Sequence, residues 1–338
     1  MQNHPRTVLL GAQAQLGLLP VCDHYSGTPS RMAQSLQLQA ELTQEFGTCV
    51  LDVTLDCEDG APAGGEAEHA ALVAELAANS DAAARVAVRV HPLSHPAFAN
   101  DIATLVGQAS HKLRHIMLPK VETACDIDRA LLHIDKAGGE HIALHVLIES
   151  PLGLHHAHAI AQHARVASIS FGLMDFVSAC GGAIPDTAME LEGQFSHPLV
   201  RQAKLQIAMA CHAFGKTPSH CVVTEFNDPQ AISRAARMAA QQFGYTRMWS
   251  IHPSQIRPIV QAFTPAANEI ENAADIIAAA HAAQWAPISH KQRLHDRASY
   301  RYYWQLLERA HQTARPLPQG VQHWFYDVDS CSLSSLQS

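Results

Sequence analysis

The sequence lacks the features that mark a membrane-spanning or nucleic-acid-binding protein. No apolar stretch in its 338 residues is long enough to cross a bilayer. No cluster of lysine and arginine offsets the formal net charge of −8, which argues against a nucleic-acid partner. The eight cysteines form no C-x-x-C pair and show no cysteine and histidine spacing typical of zinc, which predicts reduced thiols. Together these absences favour a cytoplasmic protein that binds a small molecule.

The residues that are present are typical of a large soluble domain. Hydrophobic residues make up 47% of the chain and charged residues 16%, so a substantial core can be buried. A (β/α)₈ barrel of roughly 250 residues with an appendage would account for the length. We predict the barrel over residues 1–265, and a C-terminal helical extension with a frayed tail over residues 266–338.

Short apolar runs alternate with longer alanine-rich segments of helical period, which predicts repeated βα units and a parallel sheet. The predicted strands are Leu16–Asp23, Cys49–Cys57, Arg85–Val90, His115–Val121, Ile142–Ser150, Val166–Asp175, His220–Phe226 and Thr246–His252. The predicted helices are Ser30–Phe46, Glu66–Asn79, Phe98–Ser110, Ala124–Ala137, Leu154–His163, Pro198–Phe214, Pro229–Phe243 and Pro253–Phe263. Eight repeats favour an α/β fold of the TIM-barrel type, with a C-terminal helical appendage, over an open doubly wound sheet.

Polar side chains end most of the predicted strands. In a (β/α)₈ barrel the carboxyl ends of the strands meet at one mouth, which holds the active site. The polar residues at these ends are Asp56, Glu58, Asp59, Arg89, Lys120, Glu122, Glu149, Asp175, Glu225 and His252. We therefore expect these side chains to converge.

Two of these acids predict a metal site. Glu149 and Asp175 end neighbouring strands whose preceding residues are largely apolar, so both carboxylates should emerge together from a buried base. Two carboxylates with water and substrate oxygens form an octahedral site that suits Mg²⁺ or Mn²⁺ better than zinc. A bound cation also explains how crowded carboxylates can coexist.

Arg89 places a guanidinium at the same rim. It ends the β-branched run of residues 86–90. Such a group can bind a carboxylate in bidentate fashion or stabilise an enolate. The alternative is a structural ion pair with Asp56 or Glu58, and the sequence leaves both roles open.

Six segments resemble the citrate lyase β-subunit and malyl-CoA lyase family, within the wider HpcH/HpaI aldolase superfamily. The resemblance runs from about Gly47 to Ala274. The segments are Leu55-Asp56-Cys57-Glu58-Asp59-Gly60, Val88-Arg89-Val90, Leu118-Pro119-Lys120-Val121-Glu122, Ile148-Glu149-Ser150, Phe171-Gly172-Leu173-Met174-Asp175 and Ile251-His252-Pro253-Ser254-Gln255-Ile256. The resemblance implies a trimeric or hexameric barrel that uses Mg²⁺ to cleave or form β-hydroxyacyl-CoA thioesters such as citryl-CoA or malyl-CoA.

The resemblance also implies a role for each matched residue. Glu149 and Asp175 would bind the metal, and Arg89 would bind substrate and stabilise the enolate. The residues with supporting roles are Glu58 and Asp59, which would order metal-bound waters, Lys120 and Glu122, which would support that network, and His252 and Pro253, which would bind substrate. Arg31, outside the matched segments, would meet phosphates of coenzyme A.

Departures from the family pattern leave a second enzymatic function open. The family's N-terminal R-S-x-L-F-V-P-G segment, which helps bind coenzyme A, is here replaced by residues 18–27 with bulky polar side chains, and His91 replaces an asparagine. The alternative is a class II aldolase acting on free 2-oxo acids without coenzyme A. That branch places a histidine where this chain has Asp59, so His24 or His252 would have to serve as the base.

Two further hypotheses concern turnover and assembly. A non-catalytic metal-binding subunit is the third candidate function, and the intact set of Arg89, Glu149 and Asp175 argues against it. The segment Tyr300-Arg301-Tyr302-Tyr303-Trp304 predicts a homo-oligomer, because aromatic residues and arginine are enriched at interfaces. The alternative is that this segment packs on its own barrel.

Overall fold

The computed structural model describes residues 4–15, 17–225 and 228–326. Within these residues, eight parallel strands close into a barrel in sequence order, so the predicted TIM-barrel fold is confirmed. The strands are β1 (Cys22–Ser26), β2 (Leu51–Asp56), β3 (Val86–Arg89), β4 (Leu113–Leu118), β5 (Ala143–Ile148), β6 (Val166–Phe171), β7 (Thr217–His220) and β8 (Arg247–Ser250). No described helix is both long and apolar enough to cross a membrane.

Helices connect the strands, as expected for βα repeats. In the barrel they are α2 (Pro29–Phe46), α3 (Glu66–Ala78), α4 (Phe98–Ala109), α5 (Ala124–Lys136), α6 (Pro151–His155), α7 (Ala157–Gln162), α8 (Leu173–Ala179), α9 (Gly193–Ser196), α10 (Pro198–Ala213), α11 (Pro229–Gln242) and α12 (Ile256–Phe263). Short 3₁₀ turns span Asp186–Met189 and Pro253–Gln255. The helix predicted over 154–163 is wrong in its bounds, because two short helices meet there at His156.

Two strand predictions are wrong in position. The first strand begins at Cys22 rather than Leu16. The seventh strand ends at His220, the residue at which the predicted strand began. Residues 16 and 226 of the two predicted strands lie outside the described part of the chain. Both strands contain mostly polar residues although they are buried, so no apolar run in the sequence marks their position. In β1 the reason is Asp23, whose carboxylate is compensated inside the barrel by Arg247 at 2.8 Å.

The barrel interior is layered along its axis. A buried polar layer contains Asp23, His115, His145 and Arg247. Two residues further along the same four strands lies a mainly apolar layer, in which Met117, Leu147 and Trp249 pack together with partly buried Tyr25. The apolar layer closes the barrel below the mouth, where the strand-end acids lie.

Lys204 of α10 is fully buried at the outer side of the barrel. Its ammonium group donates to Gln194 Oε1 at 3.0 Å and lies 4.0 Å from the centre of the Phe195 ring. Burial lowers the pKa of Lys204 from 10.5 to about 8, although Cys221 opposes the shift. A cation in this position therefore costs stability.

We expect Lys204→Met to stabilise the protein at pH 7 by about 2 kcal/mol. A lysine pKa that falls from 10.5 to about 8 on folding lowers the free energy of unfolding by about 3 kcal/mol. The variant avoids this cost but loses the hydrogen bond to Gln194, which is worth about 1 kcal/mol. The cost is complete below pH 8 and disappears as the pH rises towards 10.5, so the advantage of the variant should shrink over that range. Urea denaturation at pH 7 and 9.5 measures the difference in stability between the variant and the wild type, with the exposed Lys136→Met as the control. Equal denaturation midpoints for Lys204→Met and the wild type at pH 7 would contradict the prediction.

The chain divides into two compact units. The larger one, residues 20–45 and 49–262, is the barrel; the smaller one contains residues 1–19, 46–48 and 263–338. In its described part the smaller unit has helices α1 (Pro5–Leu10), α13 (Ala267–Ala282), α14 (Arg297–Gln312) and α15 (Gln319–Tyr326), a 3₁₀ turn (Gly11–Gln15) and a hairpin of β9 (Ile288–His290) and β10 (Arg293–His295). The boundary at residue 265 stays a prediction, and the tail over 329–338 lies outside the described residues.

The aromatic segment of α14 packs mainly into the smaller unit's own core. Tyr300 and Trp304 are buried there, with Trp304 stacked on Phe325 at 4.9 Å between ring centres. Tyr302 is 59% exposed. The core of the smaller unit is therefore sufficient to bury Tyr300 and Trp304 without the packing on the barrel that was the alternative, and only part of the segment is available to a second copy.

Candidate active site and metal centre

Arg89 lies at the centre of the barrel mouth and is bound by three carboxylates. Its Nε donates to Asp56 Oδ1 at 2.6 Å and its Nη2 donates to Asp56 Oδ2 at 3.0 Å, a bidentate pair. Its Nη1 lies 2.9 Å from Glu58 Oε2, and its Nη2 lies 2.7 Å from Asp59 Oδ2. The ion pair that the sequence left open is therefore present, and it holds the guanidinium in one orientation.

Tyr25 supports Arg89 from below. Its hydroxyl donates to Asp56 Oδ2 and accepts from Arg89 Nη2 at 2.7 Å. The ring lies 4.7 Å below the guanidinium carbon and contacts Trp249 edge to face at 5.6 Å. Burial raises the pKa of the Tyr25 hydroxyl, so this group remains a hydrogen-bond donor at neutral pH.

Glu58 joins Arg89 to Lys120. Lys120 Nζ lies 2.9 Å from Glu58 Oε1 and 4.0 Å from Asp175 Oδ1. Partial burial works to lower the pKa of Lys120, but the hydrogen bond and charge of Glu58 outweigh it and raise that pKa. Lys120 also has a positive φ of 52°, which an L-residue adopts at an energetic cost. The surrounding structure thus holds this ammonium group towards the acids.

Glu149 is the most deeply buried acid of the predicted metal pair. Its residue is 5% exposed, whereas the side chain of Asp175 is 57% exposed. Burial, followed by the charges of Asp175 and Glu58, raises the pKa of Glu149 from 4.5 to about 8. A carboxyl group in this setting is protonated at neutral pH unless a cation compensates its charge.

The residues present fit a hard divalent cation. Five carboxyl groups meet two cationic side chains at this mouth; they are Asp56, Glu58, Asp59, Glu149 and Asp175, with Arg89 and Lys120. The excess of negative charge disfavours the ionised form of Glu149 in particular. Oxygen donors are also the ligands that Mg²⁺ and Mn²⁺ prefer.

Gly172 gives the Glu149 side chain its space. A methyl group on Gly172 would lie 2.4 Å from Glu149 Cγ and 3.0 Å from Glu149 Cδ, far closer than atoms can pack. Gly172 has a φ of −86°, so the need for glycine is one of space and not of backbone conformation.

We expect Gly172→Ala to weaken Mg²⁺ binding by about tenfold or more, because displacing a ligand's neighbour commonly costs that much. The added methyl group must displace the Glu149 side chain from its present position. Calorimetric titration with Mg²⁺ measures the effect. Gly107→Ala is the control, since a methyl group there meets nothing within 4 Å. An unchanged Mg²⁺ affinity in Gly172→Ala would show that the position of Glu149 does not set binding.

The remaining predicted site residues lie at the carboxyl ends of the strands but in different settings. His252 and Pro253 follow β8, where His252 caps the short 3₁₀ turn by accepting from the Ser254 backbone nitrogen at 3.3 Å. Arg31 is exposed in the first turn of α2, which follows β1. Their roles towards substrate stay predictions.

His24, a candidate base of the aldolase alternative, is buried. Its Nδ1 lies 3.0 Å from Ser250 Oγ. Burial lowers the pKa of His24 to about 4, which makes it a weak base. This setting reduces the case for His24 in proton abstraction.

Sequence reasoning missed Tyr25 and Trp249 as parts of the mouth. For Tyr25 the cause is the misplaced first strand, since a strand ending at Asp23 leaves Tyr25 in a loop. Trp249 lies inside the predicted eighth strand, but its packing against Met117 and Leu147 depends on distant strands. Polar residues run continuously from Asp23 to Ser26, so no alternation marks the strand; only the two-residue spacing of Asp23 and Tyr25 fits one face of a strand. Asp56 was predicted as a strand-end residue and as an alternative ion-pair partner of Arg89, and the structure shows it at 0% exposure as the bidentate partner of the guanidinium.

A second group that could hold a metal, Asp23 with His115 and His145, lies in the polar layer of the barrel. Its geometry fits an ion poorly. The two imidazole rings are stacked at 3.4 Å with 14° between their planes, so their in-plane lone pairs run side by side instead of converging. Arg247 also occupies the same Asp23 oxygen at 2.8 Å, and it already supplies the compensating charge.

Comparison with known proteins identifies a family and several relatives of this chain. Residues 37–253 match the family model described as HpcH/HpaI aldolase/citrate lyase. The L-malyl-CoA/beta-methylmalyl-CoA lyase of Cereibacter sphaeroides is 30% identical over 248 residues, or 69% of this chain and 77% of that protein. The mitochondrial citramalyl-CoA lyase of Rattus norvegicus is 27% identical over 231 residues, or 67% of this chain and 68% of that protein.

Solved structures agree with the fold. A citrate lyase from Burkholderia xenovorans LB400 is 46% identical, with a TM-score of 0.80 over 93% of this chain and 98% of that one. Protein CitE from Mycobacterium tuberculosis, solved with magnesium, acetoacetate and coenzyme A, has a TM-score of 0.66 at 20% identity, over 87% of this chain and 98% of that one.

A parallel barrel whose carboxyl-end mouth gathers acids around an arginine and a lysine has the architecture of a (β/α)₈-barrel enzyme. The chain belongs to the HpcH/HpaI aldolase/citrate lyase family, and it is a lyase. The resemblance noted from the six sequence segments is therefore confirmed.

Proposed function

We propose that this protein is a Mg²⁺-dependent lyase, with Mn²⁺ as a possible substitute, that breaks or forms a carbon–carbon bond in a hydroxyacyl-CoA such as malyl-CoA or citryl-CoA. Glu149 and Asp175 are the proposed metal ligands. The observation that carries the proposal is the buried Glu149 carboxyl, whose charged form is disfavoured by burial and by Asp175 unless a cation binds. The names of the malyl-CoA and citramalyl-CoA lyases among its relatives support the substrate class.

In the proposed reaction Mg²⁺ supplies Lewis-acid chemistry to the oxygens of the bound substrate. In cleavage the substrate hydroxyl loses its proton and becomes a carbonyl as the carbon–carbon bond breaks, and the electron pair of that bond stays on the carbon next to the thioester. The resulting enolate needs positive charge until it takes up a proton. Arg89 is the proposed donor, because its guanidinium is oriented in advance by Asp56 and Tyr25. A donor that is already oriented stabilises developing charge without reorganising during the reaction.

The other acids and Lys120 have supporting roles in this proposal. Glu58 and Asp59 would accept from waters around the ion. Lys120 fixes Glu58 through the 2.9 Å contact, and Glu122 accepts from Ser150 Oγ at 3.1 Å, next to Glu149 in sequence. These contacts keep the acids from spreading apart under their mutual repulsion.

Coenzyme A would approach from the side of β1 and β8. Arg31 is the proposed partner of its phosphates, and His252 with Pro253 would contact the acyl part of the substrate. The bulky residues 18–27 stand where the family segment meets coenzyme A, which keeps free 2-oxo acids as the second candidate substrate class. The specific observation in favour of the free acids is the Tyr25 ring, which lies at the floor of the mouth 4.7 Å from the Arg89 guanidinium carbon.

A substrate panel separates the two candidates. Malyl-CoA, citryl-CoA and methylmalyl-CoA are assayed beside free 4-hydroxy-2-oxo acids, each with Mg²⁺ and with EDTA. The proposal predicts Mg²⁺-dependent cleavage of at least one thioester. Turnover confined to the free acids would favour the aldolase, and no turnover of any substrate would favour a non-catalytic subunit.

We also propose that the protein is a homo-oligomer, a trimer or a hexamer. The exposed Tyr302, with exposed Arg301 beside it on α14, supports an interface, since tyrosine and arginine are enriched in such contacts. Light scattering at micromolar concentration should give a mass of at least three times 36.7 kDa. A single 36.7 kDa species would contradict the proposal.

A further inference from the structure

The three carboxylates on Arg89 differ strongly in exposure. Asp56 is 0% exposed and the Glu58 side chain is 8% exposed, whereas the Asp59 side chain is 73% exposed. Asp56 is also held by the backbone nitrogen of Glu58 at 3.0 Å. Asp59 is thus the acid that can leave the guanidinium without opening the core.

Arg89 Nη2 has more hydrogen-bond acceptors around it than it has hydrogen atoms. This nitrogen carries two hydrogens but faces three acceptors, which are Tyr25 at 2.7 Å, Asp59 at 2.7 Å and Asp56 at 3.0 Å. If Asp59 leaves, Tyr25 and Asp56 still accept from both hydrogens. Departure of Asp59 therefore leaves no donor unpaired, which removes the usual penalty for breaking such a contact.

We propose that Asp59 holds the place on Arg89 that a substrate carboxylate takes, so that substrate binds by exchange with Asp59. This inference rests on the proposed function, because it requires Arg89 to meet a carboxylate-bearing substrate. Exchange replaces one carboxylate by another at Nη2. Binding without exchange would put a fourth carboxylate around a single guanidinium, which electrostatic repulsion opposes.

Exchange gives Asp59 one role before substrate binds and another role afterwards. The Asp59 carboxylate neutralises Arg89 in the absence of substrate. Once released, it is free to accept from waters around the ion, as proposed above. Asp59 is therefore a positioning residue whose effect on substrate passes through Arg89, and it acts as an internal competitor that lowers the affinity for carboxylates.

We expect Asp59→Asn to bind pyruvate about three to ten times more tightly than the wild type at saturating Mg²⁺. Asparagine keeps the size of the side chain, but its neutral amide oxygen is a weaker competitor for the guanidinium than a carboxylate. Isothermal calorimetry measures the two dissociation constants. Equal or weaker binding by Asp59→Asn, or no binding of millimolar pyruvate by either protein, would overturn the proposal.

Glu58→Gln is the matched control. It removes the same charge from the same guanidinium, but Glu58 is buried and also holds Lys120. Its loss should loosen Arg89, so pyruvate is expected to bind less tightly. A gain equal to that of Asp59→Asn would mean that any lost negative charge has the same effect, which contradicts exchange.

A double-mutant cycle tests whether the effect passes through Arg89. In an Arg89→Gln background, exchange predicts that Asp59→Asn gives no further gain in pyruvate affinity, whereas a general field effect would persist. Crystal structures of the wild type with and without pyruvate give a second readout if Arg89→Gln folds poorly, and Asp59 remaining on Arg89 beside bound pyruvate would refute exchange. Because pyruvate binding is measured without turnover, failure here is distinct from failure of the lyase proposal.

Discussion

Replacing Arg89 by lysine is expected to lower kcat by about two to three orders of magnitude, the size of losing one preorganised donor to an oxyanion. Lysine keeps the positive charge but loses the planar fork that pairs with Asp56 and Tyr25. The charge that remains is therefore no longer aimed at the position where the enolate forms. Steady-state kinetics on a cleaved thioester measure kcat and KM separately.

Arg89→Lys should also lose stability, which the sequence alone did not suggest. Arg89 is 6% exposed and engages buried Asp56 through two nitrogens, so one ammonium group cannot satisfy the same oxygens. A loss of about 1–3 kcal/mol is expected for the unsatisfied carboxylate. Arg85→Lys is the matched control, because Arg85 pairs with Asp52 at 2.6 Å at the opposite end of β3; it should lose stability and retain kcat.

The kinetic pattern decides the role of Arg89. An effect confined to KM would make it a residue that binds ground state and transition state alike. Unchanged kcat and KM would leave Arg89 with the structural ion pair alone, and Lys120 would become the next candidate to offset the enolate charge.

Replacing Glu149 by glutamine is expected to abolish both Mg²⁺ binding and turnover with little loss of fold. In the wild type, Mg²⁺ must displace a proton, because the pKa of Glu149 without metal is raised to about 8 by burial and by Asp175 and Glu58. The apparent Mg²⁺ affinity should therefore rise about tenfold per pH unit between pH 6 and 8 and then level off. One proton per ion should be released below pH 8.

Calorimetry at pH 6, 7 and 8 in two buffers of different ionisation enthalpy tests this coupling. Glu225→Gln is the control, since Glu225 follows β7, accepts from the Leu191 nitrogen at 3.0 Å and is not a proposed metal ligand. An affinity independent of pH, or Mg²⁺ binding by Glu149→Gln equal to that of the wild type, would remove Glu149 from the ligand set.

The sequence located most of the mouth because barrel topology brings strand ends together. Residues after β2, β3, β4, β5 and β6 needed no knowledge of side-chain packing to be grouped. Glu58, Arg89 and Lys120 are in contact in the structure as that grouping predicted. Glu149 and Asp175 also interact electrostatically, although their roles as ligands remain proposals.

The features that the sequence did not predict depend on contacts between side chains of distant strands inside the barrel. The strand β1 was misplaced because its inward residues, Asp23 and Tyr25, are polar and gain their partners only from distant strands. The difference between Asp59 and Asp56 is likewise one of exposure, which two acids three residues apart do not reveal. In the sequence, Arg89 could be an ion-pair partner or a substrate ligand; the structure shows the ion pairs, and the substrate role stays a proposal.

The most direct test of the account is the metal dependence of cleavage of the first thioester that the substrate panel identifies, in the wild type and in Glu149→Gln. After treatment with EDTA the wild type should release no product, and added Mg²⁺ should restore its rate. Glu149→Gln should remain inactive at the same Mg²⁺ concentration while unfolding at nearly the same temperature. Cleavage that continues in EDTA, or full restoration of Glu149→Gln by Mg²⁺, would contradict a lyase whose metal is held by Glu149 and Asp175.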